Sequence, residues 1–206
     1  METRRMLRVG LTGGLATGKS FVGQALADLG CHLIRADELG HEVLRPGGEA
    51  YDAVVKEFGP GILEADGSVN RRNLATEVFD KPDRLEALNR LVHPPVVRRV
   101  EELAREFDAR DPHGIVVVET AILIETGYYQ RFDRIILVVC DQERQVERAT
   151  RRDRATRQAV LARIERQMPL DEKRKLAHYV IDTCGAREDT LRQVKAVYDS
   201  LRSIQP

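Results

Sequence analysis

An eight-residue run near the amino terminus constrains the fold of this 206-residue chain more than any other feature. Residues 13–20 read Gly-Gly-Leu-Ala-Thr-Gly-Lys-Ser, which satisfies the pattern G-x-x-x-x-G-K-[ST], and they directly follow an apolar run at residues 7–12. Glycines in such a loop let backbone N–H groups turn toward an anion, and the next helix presents its positive end to the same anion. A turn that binds nothing has no use for the Lys-Ser pair, so we interpret the run as a phosphate-binding loop.

Two residues of the loop and one distant acid are candidates for the chemistry of a nucleoside triphosphate. Lys19 is expected to reach the β- and γ-phosphates, and the Ser20 hydroxyl is expected to hold Mg²⁺. Glu119 ends a predicted strand, where proteins with this loop often keep an acid facing the water shell of the metal. The alternative for Glu119 is a charged strand end that is exposed to solvent.

Five short apolar segments predict the strands of a parallel sheet. They are rich in β-branched residues and are separated by long helical patterns, an alternation typical of an α/β fold. One helix is predicted over residues 19–29, ending at Gly30, and a final helix over residues 188–201. The predicted strands are residues 7–12, 31–34, 115–118, 134–139 and 179–181.

Two stretches interrupt this alternation. The first holds several helical patterns without a clear strand, and the second holds eleven Lys and Arg against five Asp and Glu between residues 144 and 175. We predict breaks in the second near residues 153–156 and at Pro169. Breaks in the first are predicted at Pro46-Gly47-Gly48, Gly59-Pro60-Gly61, Asp66-Gly67 and His93-Pro94-Pro95. The predicted domains are a core of residues 1–36, 108–143 and 176–206, a helical insertion at 37–107 that binds the acceptor, and an arginine-rich helical lid at 144–175.

Composition excludes several classes of protein. Lys plus Arg equals Asp plus Glu at 33 each, so no overall field draws the chain toward nucleic acid or an anionic membrane. No apolar run is long enough to predict a signal peptide or a membrane span, and we expect a soluble cytoplasmic protein. Cys31, Cys140 and Cys184 are far apart in sequence without metal-ligand spacing, which predicts small buried residues in a reducing compartment and no zinc site.

Motifs along nearly the whole chain resemble one family of small-molecule kinases, the dephospho-CoA kinases. Individually several are weak, but their order and spacing are jointly specific. The amino-terminal ones are Leu11-Thr12-Gly13-Gly14, Gly18-Lys19-Ser20, Ala36-Asp37, Glu42-Val43-Leu44-Arg45-Pro46-Gly47, Asp66-Gly67 with Arg71 and Leu74, and His93-Pro94. The later ones are Leu123, Glu125-Thr126-Gly127, Phe132-Asp133, Gln145 with Arg148 and Arg152, Arg163 with Gln167, and Val180-Ile181-Asp182 with Gly185.

The resemblance implies a P-loop NTPase fold and an ATP- and Mg²⁺-dependent transfer of a phosphoryl group to the ribose 3′-hydroxyl of dephospho-CoA. It implies a small-molecule substrate, no nucleic acid or membrane partner, and a monomer or weak homo-oligomer. The residues expected to contact the nucleotide are Gly13, Gly14, Leu15, Ala16, Thr17, Gly18, Lys19, Ser20, Phe21 and Gly185.

Roles for acceptor and lid residues also follow from the resemblance. Asp37 is expected to orient the acceptor hydroxyl and take its proton; the alternative is a helix N-cap. Arg148 and Arg152 are one helical turn apart, so both guanidinium groups are expected to meet the transferring phosphoryl group. The residues expected to bind substrate are Asp37, His41, Arg71 and Arg163.

The chain departs from the family pattern at four places. Arg35-Ala36-Asp37 stands where the family usually has Asp-Ala-Asp, so one carboxylate of the pair is retained. His41 replaces an Arg, Glu119 replaces an Asp, and Thr183 replaces an Asn near the end of the fifth strand. None of these changes removes the phosphate loop.

Two alternatives stay open. One is a P-loop kinase for a nucleoside or sugar acceptor, which shares the same layout. The other is a nucleotide-dependent switch or RNA-binding protein that uses the basic segment as its contact surface. That segment has no aromatic residue between positions 144 and 175 for base stacking, which argues against RNA binding.

Overall fold

The computed structural model describes residues 6–78 and 81–204. The chain forms two compact units. One comprises the described residues up to Arg35 and from Arg105 onward, and the other is Ala36–Ala104. None of the described helices is both long enough and apolar enough to cross a membrane.

The first unit is built on a five-stranded parallel sheet, which confirms the predicted α/β fold class. The strand order is β2-β3-β1-β4-β5. The strands are β1 (Leu7–Gly13), β2 (His32–Arg35), β3 (Ile115–Glu119), β4 (Arg134–Val139) and β5 (Tyr179–Asp182). Glu119 lies opposite both Leu11 of β1 and Arg35 of β2, so the carboxyl ends of these three strands form one edge.

The described residues form α-helices that pack against the sheet and supply most of the core of the second unit. In chain order they are α1 (Lys19–Asp28), α2 (Ala36–Glu42), α3 (Tyr51–Phe58), α4 (Arg71–Val78), α5 (Pro82–Arg110), α6 (Gln142–Asp153), α7 (Arg157–Glu165), α8 (Leu170–Arg174) and α9 (Arg187–Ser203). Short 3₁₀ turns lie at Pro60–Ile62 and Tyr128–Arg131.

The core of the first unit explains why its strands read as nearly continuous apolar runs. The central strands are buried on both faces; Val116, Val117 and Val118 of β3 have no exposed surface. Helices α1 and α9 pack on this sheet through residues such as Val22 and Val194, which belong to the same buried cluster as the β1 and β3 side chains. The strands that lead to the carboxyl edge are therefore anchored in a buried core.

Helix α1 ends close to where the sequence predicts. Gly30 has a φ of 102°, in the left-handed region that glycine adopts readily, and its N–H donates to the carbonyl of Ala27 at 2.9 Å. This cap turns the chain directly into β2.

The arginine-rich segment forms α6, α7 and α8. Asp141 caps α6 by accepting a hydrogen bond from the N–H of Arg144 at 2.8 Å, and Thr156 caps α7 through the N–H of Ala159 at 3.2 Å. Between the two helices Arg154 takes a φ of 51°, which breaks the helix where the sequence predicts a split. A small buried cluster of Val146, Ala149 and Val160 packs against Leu15 and Ala16 of the phosphate loop.

The second unit has its own core, and one prediction about it is wrong. His93-Pro94-Pro95 does not end a helix, because α5 runs without interruption from Pro82 to Arg110. Proline removes a backbone hydrogen bond and strains the turn before it. The helix persists because its flanks pack on a buried cluster that includes Val54, Phe58 and Leu74. The α5 residues that pack there are Ala87, Leu88, Leu91, Val92 and Val96.

Candidate active site

The phosphate loop joins the carboxyl end of β1 to the first residue of α1. Ala16 and Gly18 take φ values of 55° and 92°, both in the left-handed region. A Cβ atom on Gly13 would lie 2.5 Å from the carbonyl oxygen of Val138, so no side chain fits there. The loop thus forms the tightly curved backbone that binds a phosphate anion at a helix N-terminus.

Lys19 lies beside this curved backbone. Its Nζ donates hydrogen bonds to the carbonyl oxygens of Gly13 at 3.2 Å and Gly14 at 3.0 Å. The ammonium group is partly buried, which strengthens its interaction with a nearby anion because the local dielectric is lower than in water. Lys19 therefore lies where its positive charge could contact the phosphates of a bound nucleotide.

Ser20 and Glu119 lie side by side at the edge of the sheet. The Ser20 hydroxyl donates to Oε1 of Glu119 at 2.7 Å, although the two residues are 99 positions apart. Glu119 is 5% exposed, so the alternative of a solvated strand end is wrong. Its Oε2 is buried with no hydrogen-bond partner among the described residues and lies 3.8 Å from Nε of Arg35. A buried carboxylate oxygen beside a hydroxyl suits Mg²⁺, which prefers oxygen ligands.

A cavity of about 400 Å³ opens beside the loop. The guanidinium carbon of Arg187 lies 4.6 Å from the centre of the Phe21 ring, so a cation–π contact forms part of the cavity wall. A mostly apolar cavity of this size suits a purine base. Its lining residues are Gly18, Phe21, Arg148, Thr183, Gly185, Arg187 and Thr190. Sequence reasoning missed Arg187 and Thr190, which carry no motif of their own.

Thr183 connects three parts of this cavity. Its Oγ1 donates to the carbonyl oxygen of Thr17 in the phosphate loop at 2.7 Å. Arg148 donates through Nη1 to Oγ1 of Thr183 at 2.9 Å and through Nη2 to its carbonyl oxygen at 2.7 Å. The threonine that departs from the family pattern therefore links α6, β5 and the loop.

Arg152 and Arg163 meet at a different place. Nε of Arg152 lies 2.7 Å from Oδ1 of Asp153, and Nη1 of Arg163 lies 2.7 Å from Oδ2. These two partners, Arg152 first, lower the pKa of Asp153 to about 2, although its burial opposes the shift. Asp153 is therefore ionised at neutral pH. The structure gives Arg148 and Arg152 separate partners and does not bring both to one acceptor.

Two glutamines from the arginine-rich segment support the phosphate loop. Oε1 of Gln167 accepts a hydrogen bond from the N–H of Leu15 at 2.7 Å. The buried Gln145 donates through Nε2 to the carbonyl oxygen of Cys140 at 2.9 Å, and a Cβ on Gly14 would lie 3.1 Å from its Oε1. The sequence analysis gave neither glutamine a role. Both belong to the family motifs, and this membership was the signal that could have identified them.

The second unit carries the predicted acceptor residues. His41 and Arg71 line a small cavity of about 160 Å³ together with Arg45. Burial and then the positive charge of Arg71 lower the pKa of His41. His41 is therefore neutral at pH 7 and offers a hydrogen bond, whereas the two arginines supply the charge.

Asp37 is an exposed residue in the first turn of α2. The helix begins at Ala36, so Asp37 is its second residue and does not occupy the N-cap position. It comes two residues after the end of β2, and ligands of open α/β sheets bind at the carboxyl ends of the strands.

The parallel sheet, the phosphate loop at the carboxyl end of β1 and the adjoining cavity define a nucleotide-binding protein of the P-loop kinase class. A family model described as dephospho-CoA kinase matches residues 7–189. The chain belongs to the dephospho-CoA kinase family.

Named relatives agree with this assignment. The chain is 37% identical over 196 residues to the dephospho-CoA kinase of Aquifex aeolicus, a match covering 95% of this chain and 98% of that one. It is 39% identical over 191 residues to the dephospho-CoA kinase of Geobacillus kaustophilus, covering 93% and 94% of the two chains.

Solved structures agree in fold. A Thermus thermophilus crystal structure superimposes with a TM-score of 0.81 at 34% identity, covering 96% of this chain and 98% of that one. The dephospho-CoA kinase of Campylobacter jejuni superimposes with a TM-score of 0.70 at 22% identity, covering 95% and 97%. At that lower identity the second likeness concerns the fold alone.

Proposed function

We propose that this chain transfers the γ-phosphoryl group of ATP to the ribose 3′-hydroxyl of dephospho-CoA, giving coenzyme A and ADP in the last step of coenzyme A synthesis. The observation that carries the proposal is the family match over residues 7–189, which includes a phosphate loop of the required geometry. A cytoplasmic location and a monomeric or weakly associated state belong to the same proposal.

The first part of the proposed mechanism is the binding of the triphosphate. Loop N–H groups and the Lys19 ammonium would hold the β- and γ-phosphates, and the cavity beside Phe21 would hold the base. We expect residues 13–21 and Gly185 to surround the nucleotide. Ser20 and Glu119 would hold Mg²⁺, which neutralises charge on the phosphate oxygens when bound.

The second part is the treatment of the acceptor. Asp37 would orient the ribose hydroxyl and take its proton late in the transfer, because the proton leaves easily once the new oxygen–phosphorus bond has begun to form. His41 and Arg71 would contact anionic groups of dephospho-CoA, since they line one basic cavity in the second unit.

The third part is charge stabilisation by the lid. Arg148 is already held at the cavity by Thr183, which fits a residue that fixes the nucleotide. When the lid closes, Arg152 and Arg163 would leave Asp153 and bind the transferring phosphoryl group instead. Phosphoryl transfer depends mostly on such positioning and electrostatic stabilisation.

The direct test is an assay of purified protein with ATP, Mg²⁺ and dephospho-CoA, in which ADP is measured enzymatically and the product is identified by mass. We expect ADP and coenzyme A in equal amounts, and much slower turnover with adenosine or a hexose. Faster turnover of a nucleoside or sugar would overturn the acceptor assignment. Salt-dependent RNA binding without phosphoryl transfer would overturn the enzyme assignment.

Glu119→Gln tests the proposed magnesium site. Glutamine keeps an oxygen that can accept from Ser20 but removes the charge, so the Mg²⁺ concentration for half-maximal rate should rise roughly 10–100-fold. Initial rates at fixed ATP and varied free Mg²⁺ measure this shift. Glu172→Gln, an exposed pair partner of Lys175, is the control and should leave the curve unchanged. An unaltered Mg²⁺ dependence in the Glu119 variant would remove this residue from the metal site.

Arg152→Ala tests the lid. We expect kcat to fall by about 10² with a small change in ATP affinity, because the lost charge acts mainly on the transition state. Arg157→Ala is a matched control: Arg157 also pairs with a lid carboxylate, that of Glu143, and its side chain is 57% exposed against 58% for Arg152. Steady-state kinetics on both variants decide the point. Equal kcat values in the two variants would exclude a catalytic role for Arg152.

A further inference from the structure

Two cysteines that are 44 positions apart in the sequence meet at the carboxyl ends of β4 and β5. Cys140 follows the last residue of β4 and is buried, whereas Cys184 lies two residues beyond β5 and is partly buried. Their Sγ atoms are 3.5 Å apart. The cysteines have no metal-ligand spacing in the sequence, yet the fold brings this pair together. Sequence spacing concealed it because the parallel pairing of β4 and β5 creates the contact.

Asp141 adds a carboxylate to the pair. One carboxylate oxygen and the two Sγ atoms all lie within 4.8 Å of one another. The N–H of Asp141 also donates to Sγ of Cys184 at 3.1 Å, so the two residues are in direct contact. The carboxylate of Asp141 also accepts a hydrogen bond from the N–H of Arg144 at 2.8 Å, which orients it at the start of α6.

The sulfur spacing is compatible with two thiolates that share one metal ion. Two Zn–S bonds of about 2.3 Å at a tetrahedral angle place the sulfurs about 3.8 Å apart, within a few tenths of an ångström of the observed separation. A disulfide bond of about 2.0 Å would instead need the sulfurs to approach by about 1.5 Å. Three protein ligands leave a fourth position for water, as in many zinc sites.

We propose that Cys140, Asp141 and Cys184 form a binding site for one thiophilic divalent cation of the zinc class. On binding, both S–H bonds break, the two protons pass to water, and two metal–sulfur bonds form while the carboxylate supplies an oxygen. No oxidant or reductant takes part.

The site lies next to the residues that form the nucleotide cavity. Cys184 lies between Thr183 and Gly185, which both line that cavity, and Asp141 caps α6, which carries Arg148. A bound cation would join the end of β5 to the start of α6. The expected consequence is a higher Tm of the zinc-bound protein, because a ligand that binds only the folded state stabilises it.

Zinc binding to the full chain tests the proposal. The reduced protein is dialysed against Zn²⁺ with millimolar Mg²⁺ present to occupy the Ser20 and Glu119 site, and bound zinc is measured by elemental mass spectrometry. We expect one zinc per wild-type chain, and affinity at least tenfold weaker in Cys184→Ser and Asp141→Asn. Asparagine caps a helix about as well as aspartate, so Asp141→Asn removes the ligand while keeping the fold.

Cys31→Ala is the matched thiol control, because Cys31 is also buried but lies elsewhere in the core. It should bind zinc like the wild type. Co²⁺ supplies a second readout: thiolate-to-metal absorption should appear in the wild type and be lost in Cys184→Ser. Absence of zinc binding to the reduced wild type, or wild-type affinity in both the Asp141 and the Cys184 variant, would overturn the proposal. A Cys140–Cys184 disulfide formed on removal of reductant, without zinc binding by the reduced protein, would overturn it in favour of a redox pair.

Discussion

Lys19→Ala is expected to lower kcat/KM for ATP by roughly 10⁴ while the protein remains folded, a loss comparable to removing a charge that stabilises the transferring phosphoryl group. In the structure the Lys19 ammonium bonds to the carbonyl oxygens of Gly13 and Gly14, so the curved loop holds it where phosphates would bind. The fold should survive because the loop is shaped by the left-handed Ala16 and Gly18 and does not depend on the lysine side chain.

Steady-state kinetics with dephospho-CoA and a thermal melt of the same sample measure the two effects separately. Lys175→Ala is the control, because Lys175 is an exposed lysine that pairs with Glu172 on α8 and should keep full activity. A Lys19 variant with near wild-type turnover would refute the phosphate-loop interpretation. A Lys19 variant that melts much earlier would show that the loss concerns folding.

The sheet was predictable because its signal is local. Each strand is a short apolar run bounded by polar residues, and burial on both faces requires that pattern in a parallel sheet. The structure extends β1 by one residue to Gly13, and β3 ends at Glu119. These two strand ends bring the phosphate loop and the acid to the same edge.

Proline was a misleading local signal in α5. Proline is expected to end a helix because it removes a backbone hydrogen bond. Tertiary packing decides whether the helix is stable without that bond. Pro95 is itself buried, and Val100 beyond it is 1% exposed, so the helix continues into well-packed turns. A single sequence does not contain that long-range information.

The candidate site also has parts that local sequence predicts and parts that depend on long-range contacts. The loop residues follow from one contiguous motif, whereas the Ser20–Glu119 contact joins residues 99 positions apart and the Arg148–Thr183 contact joins residues 35 apart. The sequence identified these four residues individually but did not predict their pairings. Helical spacing suggested a shared target for Arg148 and Arg152, yet Arg148 bonds to Thr183 beyond β5, whereas Arg152 bonds to Asp153 at the end of α6.

Asp37→Asn is expected to reduce kcat by about 10³ with little change in ATP affinity, because asparagine keeps the shape of the side chain but is a far poorer base. Asp37 is exposed in the first turn of α2, where a carboxylate also interacts favourably with the helix dipole. That purely structural role is worth about 0.3–1 kcal/mol, which corresponds to a fall in Tm of about 1–4 °C. Kinetics and Tm therefore separate the two roles.

Glu38→Gln is the matched control for this variant. Glu38 is the neighbouring exposed acid in the first turn of the same helix, so its replacement should cost a similar fraction of stability and leave kcat nearly unchanged. If Asp37→Asn and Glu38→Gln show equal kcat values and equal shifts in Tm, Asp37 serves the helix and another group must take the hydroxyl proton. A large loss of kcat confined to Asp37→Asn, with both variants melting within a few degrees of the wild type, would identify Asp37 as the base that serves the ribose hydroxyl.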